Sequence, residues 1–201
     1  MTDVAIVDTG IANIASMRAA LARIGCTSRL VSTREAVSGA PYVVLPGVGS
    51  FAAGMQRLRA LDLADALRQR VADGRPLLAV CLGLQLLCRE SEESPGVAGL
   101  GVIDGAVKRF SQAPIVPQLG WNRVRAGDSA LLEDGYAYYA NSFCLPSAPA
   151  GWRTAVSEHG ERFVAALERD QVLACQFHPE LSGPWGHTLL RRWLQNGGAS
   201  C

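Results

Sequence analysis

The chain has 201 residues, of which 49% are hydrophobic and 18% are charged, so it can bury a full core, and we expect one domain over residues 1–201. Its formal net charge of +1 argues against binding to nucleic acid or to an anionic membrane through electrostatics alone. It carries neither the features of a signal peptide nor an apolar run long enough to cross a bilayer, and we expect a cytoplasmic protein.

Strand-like and helix-like patterns alternate through the first half of the chain, which is typical of βαβ units and a parallel sheet. The patterns predict strands over residues 4–8, 27–32, 42–45 and 77–80. They predict a helix over residues 12–24, with Ile14, Met17, Leu21 and Ile24 on one face. A second helix is predicted over residues 58–71, where a leucine stripe ends near Gly74.

After residue 93 the pattern changes to short segments of β-branched and aromatic residues broken by glycine and proline. These segments predict strands over residues 107–110, 121–124, 136–140, 153–157, 163–168 and 172–177. We expect them to form an antiparallel portion added to one side of the sheet. A last helix is predicted over residues 184–194, burying Leu189, Leu190, Trp193 and Leu194. The expected fold class is α/β with a mostly parallel central sheet.

The first candidate site is a thiol at the end of a short apolar run. Residues 76–80 read Pro-Leu-Leu-Ala-Val, Cys81 follows, and a helix-forming segment that contains Gly83 begins at once. This pattern is typical of a nucleophile elbow, where a glycine leaves room for the new helix to pack against a strand. A thiol above a helix N-terminus is favoured as thiolate. Taken alone, the pattern also fits an inert buried cysteine.

A candidate base lies in the segment Gln176-Phe177-His178-Pro179-Glu180. Pro179 favours an extended backbone at His178, so the side chains of His178 and Glu180 are expected on the same side. The carboxylate would then fix the imidazole tautomer while the other ring nitrogen takes the thiol proton. His159 and His187 lie in polar segments and are expected to be solvated, which leaves His178 as the candidate base.

A thiol, an imidazole and a carboxylate together indicate acyl transfer, in which the cysteine attacks a carbonyl and a thioester is later hydrolysed. Such a site needs hydrogen-bond donors for the oxyanion. The backbone N–H of Leu82 is the first candidate. The second is expected from the glycine loop over residues 45–51, at Val48 and Gly49, because this loop follows a parallel strand at the same sheet edge.

The cysteines show no paired spacing and are expected to be free thiols in a reducing compartment. They are Cys26, Cys81, Cys88, Cys144, Cys175 and Cys201. Cys175 and His178 form a C-x-x-H pair, but no second ligand pair accompanies it, which argues against zinc. We expect no metal and no cofactor.

These motifs resemble those of a known family. The chain resembles the class I (triad) glutamine amidotransferases, and within them the glutaminase subunits of imidazole glycerol phosphate synthase. Cys81-Leu82-Gly83-Leu84-Gln85 and His178-Pro179-Glu180 carry the superfamily resemblance. Pro46-Gly47-Val48-Gly49 and Gly120-Trp121-Asn122 carry the narrower one.

The resemblance implies a flavodoxin-like three-layer sandwich and a Cys81, His178 and Glu180 triad that hydrolyses L-glutamine. The ammonia would pass through a tunnel to a (β/α)8-barrel cyclase subunit, the partner in a heterodimer of histidine biosynthesis. The substrate pocket would be lined by Gly47, Gln85, Glu93 and Ser142. The partner would contact Asn13, Trp121 and Leu181. Two of these residues have simpler alternatives, since Trp121 also fits an ordinary core position and Asn13 a helix N-terminus.

The chain departs from the family pattern at four positions, Thr9, Ala12, Asn141 and Leu181. Where Leu181 stands, the family usually has lysine or arginine, so the ion pair with the partner is expected either to be replaced by an apolar contact or to be rebuilt elsewhere. None of the departures removes a reacting group. They bear on partner geometry more than on chemistry.

Three hypotheses of function follow. The first is a glutaminase subunit that is switched on by its cyclase partner through the loop at residues 46–49. The second is an autonomous hydrolase of γ-glutamyl amides or small peptides, and the third is a binding module with an inert Cys81. Within the first, a synthase other than that of histidine biosynthesis stays open as the destination of the ammonia.

Overall fold

The computed structural model describes residues 2–10 and 13–198, and its centre is a seven-stranded sheet. The predicted helix start and family departure at Ala12 lie outside the described residues, as does Cys201. The strands of the sheet are β1 (Asp3–Val7), β2 (Thr27–Val31), β3 (Tyr42–Leu45), β4 (Leu77–Val80), β10 (Arg153–Glu158), β11 (Arg162–Arg169) and β12 (Val172–Cys175). Their spatial order is β10-β11-β12-β4-β3-β1-β2.

The parallel and antiparallel parts of this sheet meet at β12. The five strands from β12 to β2 pair in parallel, whereas β11 and β10 add to β12 in antiparallel fashion. Every residue of β3, β4 and β12 is buried, as expected for strands that are covered on both faces. The predicted α/β fold with an antiparallel addition on one side is confirmed.

Helices cover both faces of the sheet. They are α1 (Ile14–Arg23), α2 (Arg34–Gly39), α3 (Phe51–Ala60), α4 (Ala64–Ala72), α5 (Leu82–Leu87) and α6 (Gly183–Asn196). One apolar core joins α1 and α6 to the sheet, and the other joins α2, α3 and α4 to the opposite face. The three-layer arrangement follows from these two cores. Within the described residues no helix is both long and apolar enough to span a membrane.

The single helix predicted over residues 58–71 is wrong. The chain forms α3 and α4 there, and between them Asp62 has a φ of 53°, which an α-helix cannot accommodate. Because both helices pack on the same apolar core, Leu58 and Leu67 both face it. In the sequence, they therefore look like parts of one continuous helical stripe. The short helix α2 was also absent from the predicted pattern.

Three of the six strands predicted after residue 93 lie outside the central sheet, so their assignment to it is wrong. β6 (Ile103–Arg109) pairs with β5 (Cys88–Ser91) and with β9 (Phe143–Cys144). β7 (Gln118–Val124) and β8 (Gly135–Asn141) form a two-stranded ribbon. The ribbon packs on the sheet through Tyr139, whose ring meets the edges of Phe163 and Phe177 at centroid distances of 5.7 and 5.8 Å. This packing brings the end of β8 to the carboxyl end of β4.

Candidate active site

Cys81 occupies a strained turn between β4 and α5. Its φ is 55° and its ψ is −109°, a conformation that non-glycine residues rarely adopt. Its N–H donates to the carbonyl oxygen of Cys175 at 2.7 Å, so the turn is tied to the end of the neighbouring strand β12. The predicted strand, sharp turn and helix are all present.

Gly83 permits this turn. A Cβ at that position would lie 2.2 Å from the carbonyl oxygen of Leu45, at the end of β3. Only glycine lets the first turn of α5 approach the strand so closely. The elbow therefore depends on a hydrogen atom in place of a side chain, as the sequence pattern predicted.

His178 reaches Cys81 because their strands are neighbours. β4 and β12 pair with Val80 opposite Cys175, so both chains leave the sheet at the same edge. The N–H of His178 donates to the carbonyl oxygen of Tyr138 at 2.9 Å, and the Ser182 hydroxyl donates to the carbonyl oxygen of His178 at 2.6 Å. Its side chain lines the same cavity as Cys81. Both backbone polar groups of His178 are thus fixed, which holds its ring at this cavity.

Glu180 lies behind the imidazole. Its Oε1 is 2.9 Å from Nδ1 of His178, and the two side chains are only 4% and 6% exposed. The backbone route differs from the prediction, because Pro179–Leu181 forms a 3₁₀ turn and only His178 is extended. Since the carboxylate can only accept, Nδ1 carries a proton and Nε2 is left for the thiol. The structure therefore places Glu180 against the imidazole of His178, and His178 and Cys81 on the wall of one cavity.

The surroundings of the His178 ring favour its protonated form, the imidazolium. Burial lowers the pKa of His178, but the hydrogen bonds from its ring to Cys81 and Glu180, with their charges, outweigh burial and raise the pKa to about 10. A proton moved from the thiol to His178 would therefore be held there. The remaining Glu180 oxygen, Oε2, is buried and has no hydrogen-bond partner among the described residues.

The other buried thiols lack such surroundings. Burial raises the pKa of Cys88 to about 12. Burial, with smaller contributions from Glu161 and Glu92, raises the pKa of Cys144 to about 12. The pKa of Cys175 lies well above its usual value, first because of burial. Described cysteines form no disulfide, and these three stay protonated at neutral pH.

A cavity of about 270 Å³ opens onto the thiol. It is lined by Val48, Gly49, Cys81, Leu82, Gln85, Glu93, Ala140, Asn141, Ser142, Phe143 and His178. Three of the four residues predicted to bind substrate are in this lining. The fourth, Gly47, is not, because it is buried against Leu82, where a Cβ would meet the Leu82 side chain at 2.8 Å.

The two predicted oxyanion donors occupy adjacent positions, but they are not both free. The N–H of Leu82 donates to the carbonyl oxygen of Gly47 at 3.3 Å. The Gly47 carbonyl belongs to the same peptide unit as the N–H of Val48, and in a trans peptide the two point in opposite directions. One rotation of that peptide would release the Leu82 N–H and turn the Val48 N–H toward the same space. Gly49, with a φ of 96°, follows the unit directly.

Glu93 connects the cavity to the loop at residues 46–49. Its Oε2 accepts from the N–H of Phe51 at 2.6 Å, at the first turn of α3. Ser50 caps the same turn, because its side chain accepts from the N–H of Ala53. Glu93 therefore anchors the end of the loop and also lines the cavity.

Sequence reasoning missed two groups that contact the thiol. The carbonyl oxygen of Ala140 lies 3.9 Å from Sγ of Cys81, and Nε2 of Gln176 lies 3.7 Å from it. Ala140 carries no chemical signal in the sequence, because its contribution comes from the backbone. Gln176 does carry one, since it is a lone amide between Cys175 and Phe177 in an apolar run.

The predicted interface residues lie in different environments. Asn13 caps α1, because its side chain accepts from the N–H of Ser16, so the simpler alternative for this residue is confirmed. The simpler alternative for Trp121 is wrong, because Trp121 is 58% exposed rather than in the core. Leu181 is half-buried and is the last residue of the 3₁₀ turn Pro179–Leu181. Thr9 is buried with no hydrogen-bond partner for its hydroxyl among the described residues.

The two remaining histidines are less solvated than expected. His159 is half-buried, its Nε2 lies 2.7 Å from the carbonyl oxygen of Ile115, and its ring packs against Phe110. His187 is also half-buried, and burial, with Arg23 and Arg191, lowers its pKa. Neither lines the cavity at Cys81.

The chain is similar to glutamine amidotransferases over nearly all of its length. The family described as glutamine amidotransferase class-I matches residues 5–196. The imidazole glycerol phosphate synthase subunit HisH of Escherichia coli K12 is 40% identical over 199 residues, covering 96% of this chain and 99% of that protein. HisH of Geobacillus thermodenitrificans is 39% identical, covering 96% of each. A crystal structure of a glutamine amidotransferase, 22% identical, has the same fold, with a TM-score of 0.79 over 98% of this chain and 99% of that one.

Proposed function

Because the chain belongs to the class I glutamine amidotransferases, and within them to the HisH subunits of imidazole glycerol phosphate synthase, we propose that Cys81, His178 and Glu180 hydrolyse L-glutamine to glutamate and ammonia. The chain is the glutaminase subunit of a synthase of histidine biosynthesis. The observation that carries the assignment of the residues is the contact of Glu180 with Nδ1 of His178, whose ring lines the same cavity as Cys81.

The hydrolysis of glutamine needs only these three side chains and one water molecule. The thiol proton passes to Nε2 of His178 as Sγ attacks the side-chain carbonyl carbon of glutamine. The carbon–nitrogen bond then breaks, the proton passes to the leaving amine, ammonia departs and a thioester remains. Water attacks the thioester, its proton passes to His178, and the proton returns to Sγ as glutamate leaves.

The cavity wall offers complementary groups for an amino acid. Glu93 is the one carboxylate among the lining residues and suits the ammonium group of the substrate. Ser142 and its neighbours supply polar groups for the α-carboxylate, and Gln85 lines the same cavity. Gly47 acts through the loop and not by lining the cavity.

The loop at residues 46–49 acts as the switch. While the Leu82 N–H donates to Gly47, it cannot also stabilise an oxyanion on the substrate. Rotation of the Gly47–Val48 peptide frees the Leu82 N–H and supplies the Val48 N–H at once. The flanking glycines keep the free-energy cost of that rotation low. The isolated chain is therefore expected to turn over slowly until the loop is displaced.

A cyclase subunit is the partner, and the outer face of the β7–β8 ribbon suits its docking. Leu119, Trp121 and Tyr136 on this face are 70%, 58% and 61% exposed. Such a contiguous apolar patch, next to the cavity residue Ala140, is typical of a protein interface. The relative hisHF of Arabidopsis thaliana, 40% identical, is matched over 95% of this chain but only 34% of that protein.

The partner is a (β/α)8 barrel in this proposal, and ammonia reaches it without entering water. Free ammonia at neutral pH is mostly protonated and no longer nucleophilic, so a closed path preserves its reactivity. Leu181, on the 3₁₀ turn Pro179–Leu181, makes an apolar contact with the barrel where a basic residue would make an ion pair.

Trp121→Ala is expected to weaken the complex with the cyclase by about 2 kcal/mol, as measured by titration calorimetry.

Replacement of the nucleophile tests the proposal. Cys81→Ser, assayed for glutamate release in complex with the cyclase, is expected to lose at least about 10³-fold in kcat. Cys26→Ser is the matched control, because Cys26 has the same exposed fraction, 7%, but does not line the cavity. Retained hydrolysis by Cys81→Ser would refute the triad. Fast turnover by the isolated chain, unchanged by the cyclase, would instead indicate an autonomous hydrolase.

A further inference from the structure

A chain of buried amides connects the cavity wall to the sulfur of Cys81. Gln176 is fully buried at the end of β12. Its Oε1 accepts from Nε2 of Gln85 at 3.1 Å, and its Nε2 lies 3.7 Å from Sγ of Cys81. The same Nε2 of Gln85 donates to the carbonyl oxygen of Phe143 at 3.1 Å. None of these contacts is needed by the triad itself.

The orientation of the Gln176 amide is dictated by this chain. The Phe143 carbonyl can only accept, so the Gln85 atom that faces it must be the nitrogen. That nitrogen also faces Gln176, which must therefore present its oxygen. The NH₂ group of Gln176 is left pointing at the sulfur. Asn141 donates to the same carbonyl, with its Nδ2 3.0 Å from the carbonyl oxygen of Phe143.

The Gln176 NH₂ group, as a hydrogen-bond donor beside Sγ of Cys81, interacts differently with the thiol and with the thiolate. As a thiol, Cys81 can donate to the Ala140 carbonyl at 3.9 Å. Once the proton has gone to His178, that carbonyl faces a negative charge and the contact becomes unfavourable. The N–H of Gln176, by contrast, forms a charge-assisted bond to the thiolate, and burial in a medium of low dielectric constant strengthens it.

We propose that Gln176 is a catalytic residue that stabilises the Cys81 thiolate by hydrogen bonding, with Gln85 and Asn141 as the residues that position it. The proposal rests on the role of Cys81 as nucleophile. The same donor stabilises the sulfur when the thioester is hydrolysed and the thiolate leaves. Gln176 thus acts on the reacting atom in both half-reactions.

The pH profile of Cys81 alkylation tests this proposal without any glutamine. The full chain in complex with the cyclase is treated with iodoacetamide at different pH values, and modification of Cys81 is quantified by peptide mass spectrometry. Gln176→Met is expected to move the midpoint up by about one pH unit, or tenfold less thiolate at a given pH. The titratable side chains around the sulfur, His178, Glu180 and Glu93, are unchanged in this variant.

Two further variants make the experiment decisive. Gln176→Glu keeps the shape but puts a carboxylate beside the sulfur, and a larger upward shift is expected. Gln118→Met is the matched control, because Gln118 is 4% exposed and its amide has no hydrogen-bond partner among the described residues, and its profile should equal that of the wild type. If Gln176→Met keeps the wild-type midpoint, Gln176 only fills space and the proposal is wrong, because Gln176→Glu can shift the midpoint through its charge alone. Glutamine hydrolysis by Cys81→Ser would refute the nucleophile instead, so the two failures are distinguishable.

Discussion

The substitution Gly83→Ala provides the most direct test of how the elbow is built. The added Cβ would lie 2.2 Å from the Leu45 carbonyl oxygen, whereas real Cβ contacts are essentially never shorter than 3.0 Å. The end of β3 and the start of α5 must then separate by about 0.8 Å, and both are fully buried, so neighbouring side chains must shift too. Overpacking of this size is expected to cost about 3 kcal/mol of unfolding free energy.

Urea unfolding of Gly83→Ala and of a matched variant measures this cost. Gly39→Ala is the control, because Gly39 lies in α2 and an added Cβ would meet nothing within 4 Å. It should leave stability unchanged or raise it by up to about 1 kcal/mol. A loss below about 0.5 kcal/mol in Gly83→Ala would show that the elbow does not need the close approach, and the reasoning would be refuted.

The same variant is expected to lose activity beyond its loss of stability. Displacement of α5 moves the Leu82 N–H and the thiol relative to the imidazole. A misplacement near 1 Å can cost about 10²-fold in rate. Glutamate release under conditions where the variant is fully folded measures that loss, and wild-type kcat in the folded variant would contradict it.

Three further predictions concern the triad and the helical layer. Glu180→Gln is expected to lower kcat for glutamine hydrolysis about 10³-fold or more, because the imidazole loses its carboxylate, and a loss under tenfold would contradict the role. The pKa of His178 is about 10 in the folded chain and near 6.5 in the unfolded chain. Its contribution to stability is therefore complete below about pH 6.5 and is lost as the pH rises through 10. In urea unfolding, the difference in unfolding free energy between wild type and His178→Gln should shrink from about pH 6 to pH 10.5. Arg70→Met should cost about 3 kcal/mol in thermal or urea unfolding, because the buried guanidinium donates at 2.8 to 2.9 Å to the carbonyl oxygens of Val37, Pro41 and Pro76.

The elbow could be predicted because its determinants are local. An apolar run, a thiol and a glycine in fixed order describe a strand, a turn and a close helix, and Gly83 then meets Leu45 as expected. The choice of His178 rested on the other two histidines being solvated. Both are half-buried, but neither lines the cavity at Cys81, so the choice agrees with the structure although its reason does not.

The features that could not be predicted depend on contacts between distant segments. The ribbon of β7 and β8 has the alternation of sheet strands, but aromatic packing through Tyr139 places it outside the central sheet. The bond from the Leu82 N–H to Gly47 arises only when α5 and the loop after β3 are folded together. The orientation of Gln176 requires the Phe143 carbonyl, which has no signature in the residue letters.

The position of β12 inside the sheet has a consequence for synthesis of the chain. β12 lies between β11 and β4, although it comes last in chain order among the seven strands of the sheet. Until it inserts, β4 has an open edge and Cys81 has no imidazole beside it. A nascent chain, or one cut short before Val172, therefore holds a thiol that lacks its base. The site can act only after β12 has joined the sheet.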